Sequence, residues 1–490
     1  MRRNTYLILF FGFLFQICFA QELTEELYES YDAYKERTLE HRRIKYVQLE
    51  PLIAGYDANP KFEVNKVGES IEGKDLNLIS IGSGTTNIFL WSQMHGDEST
   101  ATQAIFDILN FLNSSDFESE KELILSKLKL HFLPMLNPDG AERFQRRNAL
   151  GIDINRDALR LQSPEGRALK SVRDSLDAAF GFNLHDQSKY YNAERTDKPA
   201  TISYLATAYN YEKDINVIRA NAMKVIVFMN NIIQKYAPGQ VGRYNDDFEP
   251  RAFGDNIAKW GTSLILIESG GYHNDGEKQE IRKLNYVSII SALHTIAEES
   301  YLDIPVEAYE RIPRNDRKLF DLKITNATYM LLGKPYQLDI GIHRNEVNDQ
   351  GYDTFHYKSI IVDQGDLSTY YGYENFDATG YEIVPPKIAN ITTAPQGDVF
   401  HILKSETFLR SGQAYLPMRS IPKKLRYSRS PLHVVPLGYT LPDFRIQPGM
   451  NPTFFLKKEG KLTHAVINGF LLDLSKPIQE EKFANALILR

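Results

Sequence analysis

Four runs in the first part of this chain are apolar at nearly every position: residues 87–94 (NIFLWSQM), 129–135, 180–184 and 262–267 (TSLILI). A strand with one wet face alternates apolar and polar side chains, so a strand without alternation must be covered on both faces. Residues 76–81 add a further strand. Between these runs lie segments with helical spacing. Ile105, Ile108, Leu109 and Leu112 share one face, and Ser163-Pro164 opens another helix with Leu169, Val172, Leu176 and Ala179 as its stripe. Residues 214–236 and 277–299 read as two longer helices. The alternation predicts an α/β fold over residues 45–300, a mixed sheet with helices on both faces.

The texture changes after Tyr301. Short β-like runs at 320–324, 336–342, 357–362, 399–403 and 464–472 sit between Gly, Pro, Asn and Asp turns. Residues 315–490 therefore read as a separate β-rich region, with 301–314 as a linker and 21–44 as an N-terminal segment ahead of the α/β domain.

Met1-Arg2-Arg3-Asn4 is a basic start, followed by an apolar run from Tyr6 to Ala20 and then the acidic Gln21-Glu22-Leu23-Thr24-Glu25-Glu26. That is the layout of a secretory signal peptide over residues 1–20, cut after Ala20, and it predicts an exported protein, periplasmic or secreted. Cys18 is the only cysteine, so a mature chain would rest on its core rather than on disulfides. Gln16-Ile17 ahead of it fits a lipoprotein signal poorly. No later run reaches membrane-spanning length. The net charge of −6 argues against nucleic acid as a partner.

Polar residues at the carboxyl ends of these strands are the functional candidates, because ligands bind there in open α/β sheets. His95 and Glu98 follow the 87–94 strand on a turn, and both can face one metal ion. Alone, His-x-x-Glu is common. His185, at the end of the 180–184 strand, would complete a three-residue set of the kind that holds catalytic zinc with one position open. Glu268 ends the most apolar strand, where burial would raise its pKa and suit it to proton transfer. Asn137-Pro138-Asp139-Gly140 leads into a segment with Arg146, Asp153, Asn155 and Arg156. Arg146 and Arg156, separated by a Gly-containing segment, could answer a bound carboxylate and the charge that develops on a polarised carbonyl.

Taken in order, His95-x-x-Glu98, Asn137-Pro-Asp-Gly140, Arg146-x-Asn148, Asp153-x-Asn155-Arg156, His185 and Glu268 resemble the zinc carboxypeptidase (metallocarboxypeptidase) family, over about residues 45–300. Gly68-Glu69-Ser70-Ile71-Glu72-Gly73-Lys74 is similar to a motif upstream in that family. The resemblance implies one zinc per chain, held by His95, Glu98 and His185, with Glu268 as general base and Arg146 stabilising the oxyanion. It implies that Asn155 and Arg156 hold the substrate's terminal carboxylate and that Asp153 orients His95. Tyr244 is the best match to the family's mobile substrate-binding tyrosine. The chain departs from the family at Asp157-Ala158, where many members carry an aromatic, and at Asp186-Gln187. Gly254 and Asp255 lie near the positions that set side-chain preference. In the tail, residues 338–342, 365–368 and 376–380 resemble the small β-sandwich that accompanies amidohydrolase barrels. With no barrel in the chain, that implies an accessory domain.

The leading expectation is an exported carboxypeptidase acting on peptides, or on small amides, with a free carboxylate. An amidase or deacylase on cell-wall peptides or N-acyl amino acids keeps the same centre with another substrate. A binding module without catalysis is the third reading, and retention of Glu268 beside the three metal-ligand candidates argues against it. Oligomeric state has no signature in the sequence.

Overall fold

The computed structural model describes residues 23–391, 405–423, 426–428, 430–478 and 486–489. The signal-peptide segment with Cys18, and the β-like run at 399–403, lie outside the described residues. The chain divides into two compact units, Met1–Arg317 and Lys318–Arg490.

The first unit is built on an eight-stranded mixed sheet. Its strands are β1 (Glu63–Glu69), β2 (Asp75–Ile81), β3 (Thr86–Ser92), β4 (Leu128–Leu133), β5 (Phe180–Asp186), β7 (Ile202–Ala206), β8 (Val241–Arg243) and β9 (Ser263–Ser269), while β6 (Asn192–Ala193) stands outside it and pairs with β10 (Asn315–Asp316). Spatial order is β1-β2-β4-β3-β5-β9-β7-β8. The central pairs β4/β3, β3/β5 and β5/β9 are parallel, so these four strands end at one edge of the sheet.

The strands lack alternation because both faces are covered. Ile88 and Leu90 join a core shared with the helices Thr100–Asn113, Val217–Tyr236 and Gln279–Ala297, whereas Phe89 and Trp91 pack into a second core with Pro164–Leu176 and Phe253–Lys259. Each large apolar side chain so buried contributes roughly 1.5–3 kcal/mol. The helix ends are set by local chemistry: Ser163 accepts from Gly166 N ahead of Pro164, and Asn216 accepts from Arg219 N.

Two stretches belong to this unit more firmly than composition indicates. Leu27, Tyr31, Tyr34, Leu39 and Ile44 of the N-terminal segment are buried in the larger core. The 301–314 stretch, read from composition as a linker, is structured: Tyr301, Tyr309 and Ile312 are buried there too, and the unit closes only after β10. These residues follow no helical or strand period: Tyr301 and Tyr309 lie on two short 3-10 turns, Ser300–Asp303 and Val306–Arg311, and Ile312 follows the second.

The second unit is β-rich. Leu319–Leu331, Lys334–Asn348 and Phe355–Gly365 form an antiparallel meander, extended through Glu382–Val384, Phe454–Lys458, Lys461–Ile467 and Phe470–Asp473. Tyr371–Asp377 lies parallel to the first strand. Tyr370 is half-buried and stacks on Phe320 at 5.3 Å, a packing role in this unit. Among the described residues, no helix is long and apolar enough to cross a membrane.

Candidate active site

The parallel core of the sheet places the candidate residues together. In the β5/β9 register His185 stands directly beside Glu268. His95 and Glu98 lie just beyond the end of neighbouring β3. Their turn is held by Glu98 N donating to His95 O at 3.1 Å and Gln93 Nε2 donating to Gly96 O at 2.9 Å. Gly96 is required by close approach: a Cβ there would lie 2.1 Å from Gly140 C and 2.3 Å from Ala141 N. The His-Gly-Asp-Glu and Asn-Pro-Asp-Gly motifs are therefore one packed structure. Asn137 joins them, accepting from Gly140 N (2.9 Å) and donating to the carbonyls of Met94 (3.3 Å) and Arg146 (3.2 Å). Beneath them buried Asp139 binds Ser70 Oγ, Glu72 N and Lys74 Nζ, each at 2.9 Å, and so ties in the upstream 68–74 motif.

Glu98 bridges the two imidazoles, with Oε1 2.8 Å from His95 Nδ1 and Oε2 2.7 Å from His185 Nδ1. One donor atom from each residue falls within 4.8 Å of the others. Two imidazole nitrogens and a carboxylate oxygen converging in a buried place form a donor set that fits zinc. Among the described residues, this is the one His/Cys/Asp/Glu group so arranged. Asp153 sits behind it, 3.2 Å from His95 Nε2, and accepts from Arg146 Nε at 3.0 Å and Asn155 N at 3.0 Å. A carboxylate on one ring nitrogen leaves the other free to ligate. His185 Nε2 has no such partner among the described residues.

The charges follow from these contacts. Burial alone would raise the Glu98 carboxyl, but the two imidazoles outweigh it and hold it below the usual carboxylate range. Burial likewise opposes charge on His95, yet Glu98 and Asp153 on either side raise it to about 9. Burial, then the nearby Glu98 charge, pushes Glu268 well above the ordinary carboxylate range. A bound dication acts in the opposite direction on such a group.

A cavity of about 430 Å³ opens over this centre, and His95, Glu98, Arg146, Asn155, Arg156, His185, Tyr244 and Glu268 all line it. That size suits a small ligand. Arg146 Nη1 lies 3.0 Å from His95 Nδ1 and 3.4 Å from Glu98 Oε1. Arg156 donates to Asn155 O at 2.7 Å and faces Glu249 at 3.6 Å. Asn155 Oδ1 accepts from Phe253 N at 3.0 Å. Tyr244 is half-buried, with its ring 5.9 Å from that of Tyr191. Asp153 is the one predicted residue that supports the site without lining the cavity.

Several lining residues carry no motif: Tyr191, Glu249, Asp255 and Arg317. Asp255 is the most perturbed of them, pushed by burial up to about 7. The departure at Asp157 also has a reason. Its carboxylate accepts from Gln162 N, Ser163 N and Ser163 Oγ at 2.7–2.8 Å and braces the start of the Pro164 helix.

Residues 56–163 match the profile of the zinc carboxypeptidase family. Those residues are zinc carboxypeptidase-like. The match includes His95, Glu98, Arg146, Asn155 and Arg156 and stops before His185 and Glu268. Similar curated proteins include an uncharacterized protein of Zymomonas mobilis, 28% identical over 24% of this chain and 32% of its own length. Carboxypeptidase SOL1 of Arabidopsis thaliana is 26% identical over 29% of this chain and 35% of its own. The chain thus spans about a third of the length of these two relatives. Among solved structures, a metallo-carboxypeptidase from Burkholderia cenocepacia is 14% identical with a TM-score of 0.43, covering 53% of this chain and 70% of that one.

Proposed function

We propose that this chain is an exported zinc carboxypeptidase that hydrolyses the C-terminal peptide bond of peptides. The observation that carries the reading is one cavity lined by the three-donor set, a half-buried carboxylate paired in register with one of those donors, and two arginines. Export rests on residues 1–20.

His95, Glu98 and His185 would hold the ion. When bound, zinc supplies Lewis acidity and brings a water's pKa toward neutrality. Glu268 accepts the proton of the attacking water and returns it to the leaving amine. Arg146 donates to the oxygen that gains negative charge. Asn155 and Arg156 receive the substrate's terminal carboxylate, which a guanidinium matches in charge and shape. Tyr244, which lines the same cavity, packs against the bound residue.

The test is a digest of a peptide library read by mass spectrometry, run on wild type and Glu268→Gln and on free-acid and amidated peptides. We expect single residues lost from the carboxyl end and severe slowing on amidation. Glu268→Gln should keep its zinc and lose about 10²–10⁴-fold in turnover. Amidated peptides cleaved as fast as free acids overturn the exopeptidase reading in favour of an amidase. No metal and no hydrolysis after zinc is supplied overturns both.

A further inference from the structure

His95 is oriented by Asp153, but His185 has no side-chain partner on its second nitrogen among the described residues. Beyond the Glu98 contact on Nδ1, support for His185 comes through its backbone, and the next residue shows how. Asp186 N donates to Glu98 Oε2 at 3.2 Å. Asp186 Oδ2 accepts from Thr100 Oγ1 at 2.6 Å and from Lys278 Nζ at 3.0 Å. The same ammonium donates to Ser269 O at 2.8 Å, and Ser269 pairs with Asp186 across β5 and β9. One buried Lys–Asp pair therefore touches three segments at once. Thr100 is two residues from Glu98, Asp186 follows His185, and Ser269 follows Glu268.

Lys278 sits where local preference would not put it. It precedes the first turn of the helix Gln279–Ala297 with a φ of 54°, in the left-handed region that lysine rarely adopts. A cation at a helix N-terminus also opposes the helix dipole. The capping there is done by Asp275, whose carboxylate accepts from the amides of Gln279, Glu280 and Ile281. Lys278 is 9% exposed. A residue kept in a strained backbone position by surrounding contacts points to a role that the contacts serve.

We propose that Lys278 is a positioning residue of this site, pinning through Asp186 and Ser269 the strand ends that present His185 and Glu268 and the turn that presents Glu98. The proposal rests on the zinc carboxypeptidase reading, and it gives a function to Asp186, where the chain departs from that family.

The test uses the full chain as wild type, Lys278→Met, Lys278→Arg, Thr100→Val and the double variant Asp186→Asn/Lys278→Met. Zinc affinity of the metal-stripped proteins is measured by competition with a chromophoric chelator, alongside kcat, KM and the thermal midpoint. Lys278→Met should weaken zinc binding and lower kcat by about 10–100-fold each, the range for residues that support ligands from behind, with KM little changed. Lys278→Arg should recover part of both. The double variant leaves no charge buried alone, so it should regain thermal stability without regaining kcat. If Lys278→Met fails to fold, Thr100→Val, which removes one hydrogen bond and no charge, carries the test and should also weaken zinc binding. Wild-type zinc affinity in Lys278→Met (or in Thr100→Val, where that variant carries the test) overturns the proposal. So does a double variant that recovers stability and kcat together. A wild type that binds zinc but cleaves no peptide counts against the carboxypeptidase reading alone, and the affinity measurement still decides the role of Lys278.

Discussion

Arg282→Met should destabilise the first unit by about 3–5 kcal/mol, the loss found when one partner of a fully buried ion pair is removed. Arg282 and Asp107 are both completely buried, joined by Nη2 to Oδ1 at 2.5 Å and Nε to Oδ2 at 2.7 Å. The guanidinium also donates to Gln103 Oε1 (3.0 Å), to Glu36 O (2.9 Å) and to the Leu39 carbonyl. Methionine fills much of the volume and satisfies none of these acceptors. Asp107 would keep only Tyr31 Oη at 3.0 Å and Glu36 N at 2.7 Å. Burial already raises the Asp107 carboxyl while Arg282 opposes it, so removing the arginine raises it further. A carboxyl whose folded pKa lies above its unfolded one supports folding at low pH and loses that support as pH rises through the folded value. The variant's deficit should therefore be larger at about pH 8 than at about pH 5. Urea unfolding followed by tryptophan fluorescence reads this unit specifically, because Trp91 and Trp260 both lie in it. A midpoint shift with unchanged slope converts to stability. A loss below about 1 kcal/mol, or one that does not vary with pH, would refute the reasoning. Adding Asp107→Leu should recover part of the loss, since the buried charge then disappears.

Gly96→Ala should abolish zinc binding, because its Cβ meets the Gly140 and Ala141 backbone at 2.1 and 2.3 Å; metal analysis of the purified variant checks it, and full zinc occupancy would show that the two motifs can separate. Asp255 is raised to about 7 by burial, so its contribution is present at low pH and lost as pH rises through about 7. Asp255→Asn should therefore gain on wild type at about pH 8 relative to about pH 5, by a few kcal/mol at most, read as thermal midpoints across that range; a constant difference would place the carboxyl in water. Zinc at about a hundredfold its dissociation constant should add about 2.7 kcal/mol to unfolding of the first unit, and a chelator should remove it. Identical unfolding curves with and without zinc would count against the donor set.

Much of the site is legible in the sequence because its signals are local. A strand covered on both faces reads as an apolar run, and the first polar side chains past its carboxyl end stand out: His95 and Glu98 after β3, His185 and Glu268 at the ends of β5 and β9. The parallel pairing that brings these ends together follows from the alternation with helices. The 301–314 stretch reads as a linker because Tyr301, Tyr309 and Ile312 anchor it at no regular period. Glu249 and Tyr191 sit on loops, where an acidic or aromatic residue looks like any other surface residue until the cavity is formed.

Lys278 and Arg282 show why some of the support around the site cannot be read in the same way. Each is a cation near the start of a helix, a pattern that in sequence marks a solvated first turn. Their partners lie 92 and 175 residues away, at Asp186 and Asp107. Asp107 stands on a face of its helix that the periodicity of Ile105, Ile108, Leu109 and Leu112 leaves unexplained, and Asp186 follows a candidate ligand without matching the family. Each anion breaks a local pattern, and each is buried against a cation that breaks another. A buried charge survives only where a partner and its hydrogen bonds are supplied, so paired departures of this kind identify contacts that local pattern cannot reach. Here one pair anchors the N-terminal segment to the core, and the other meets the backbone on either side of the metal-ligand candidates.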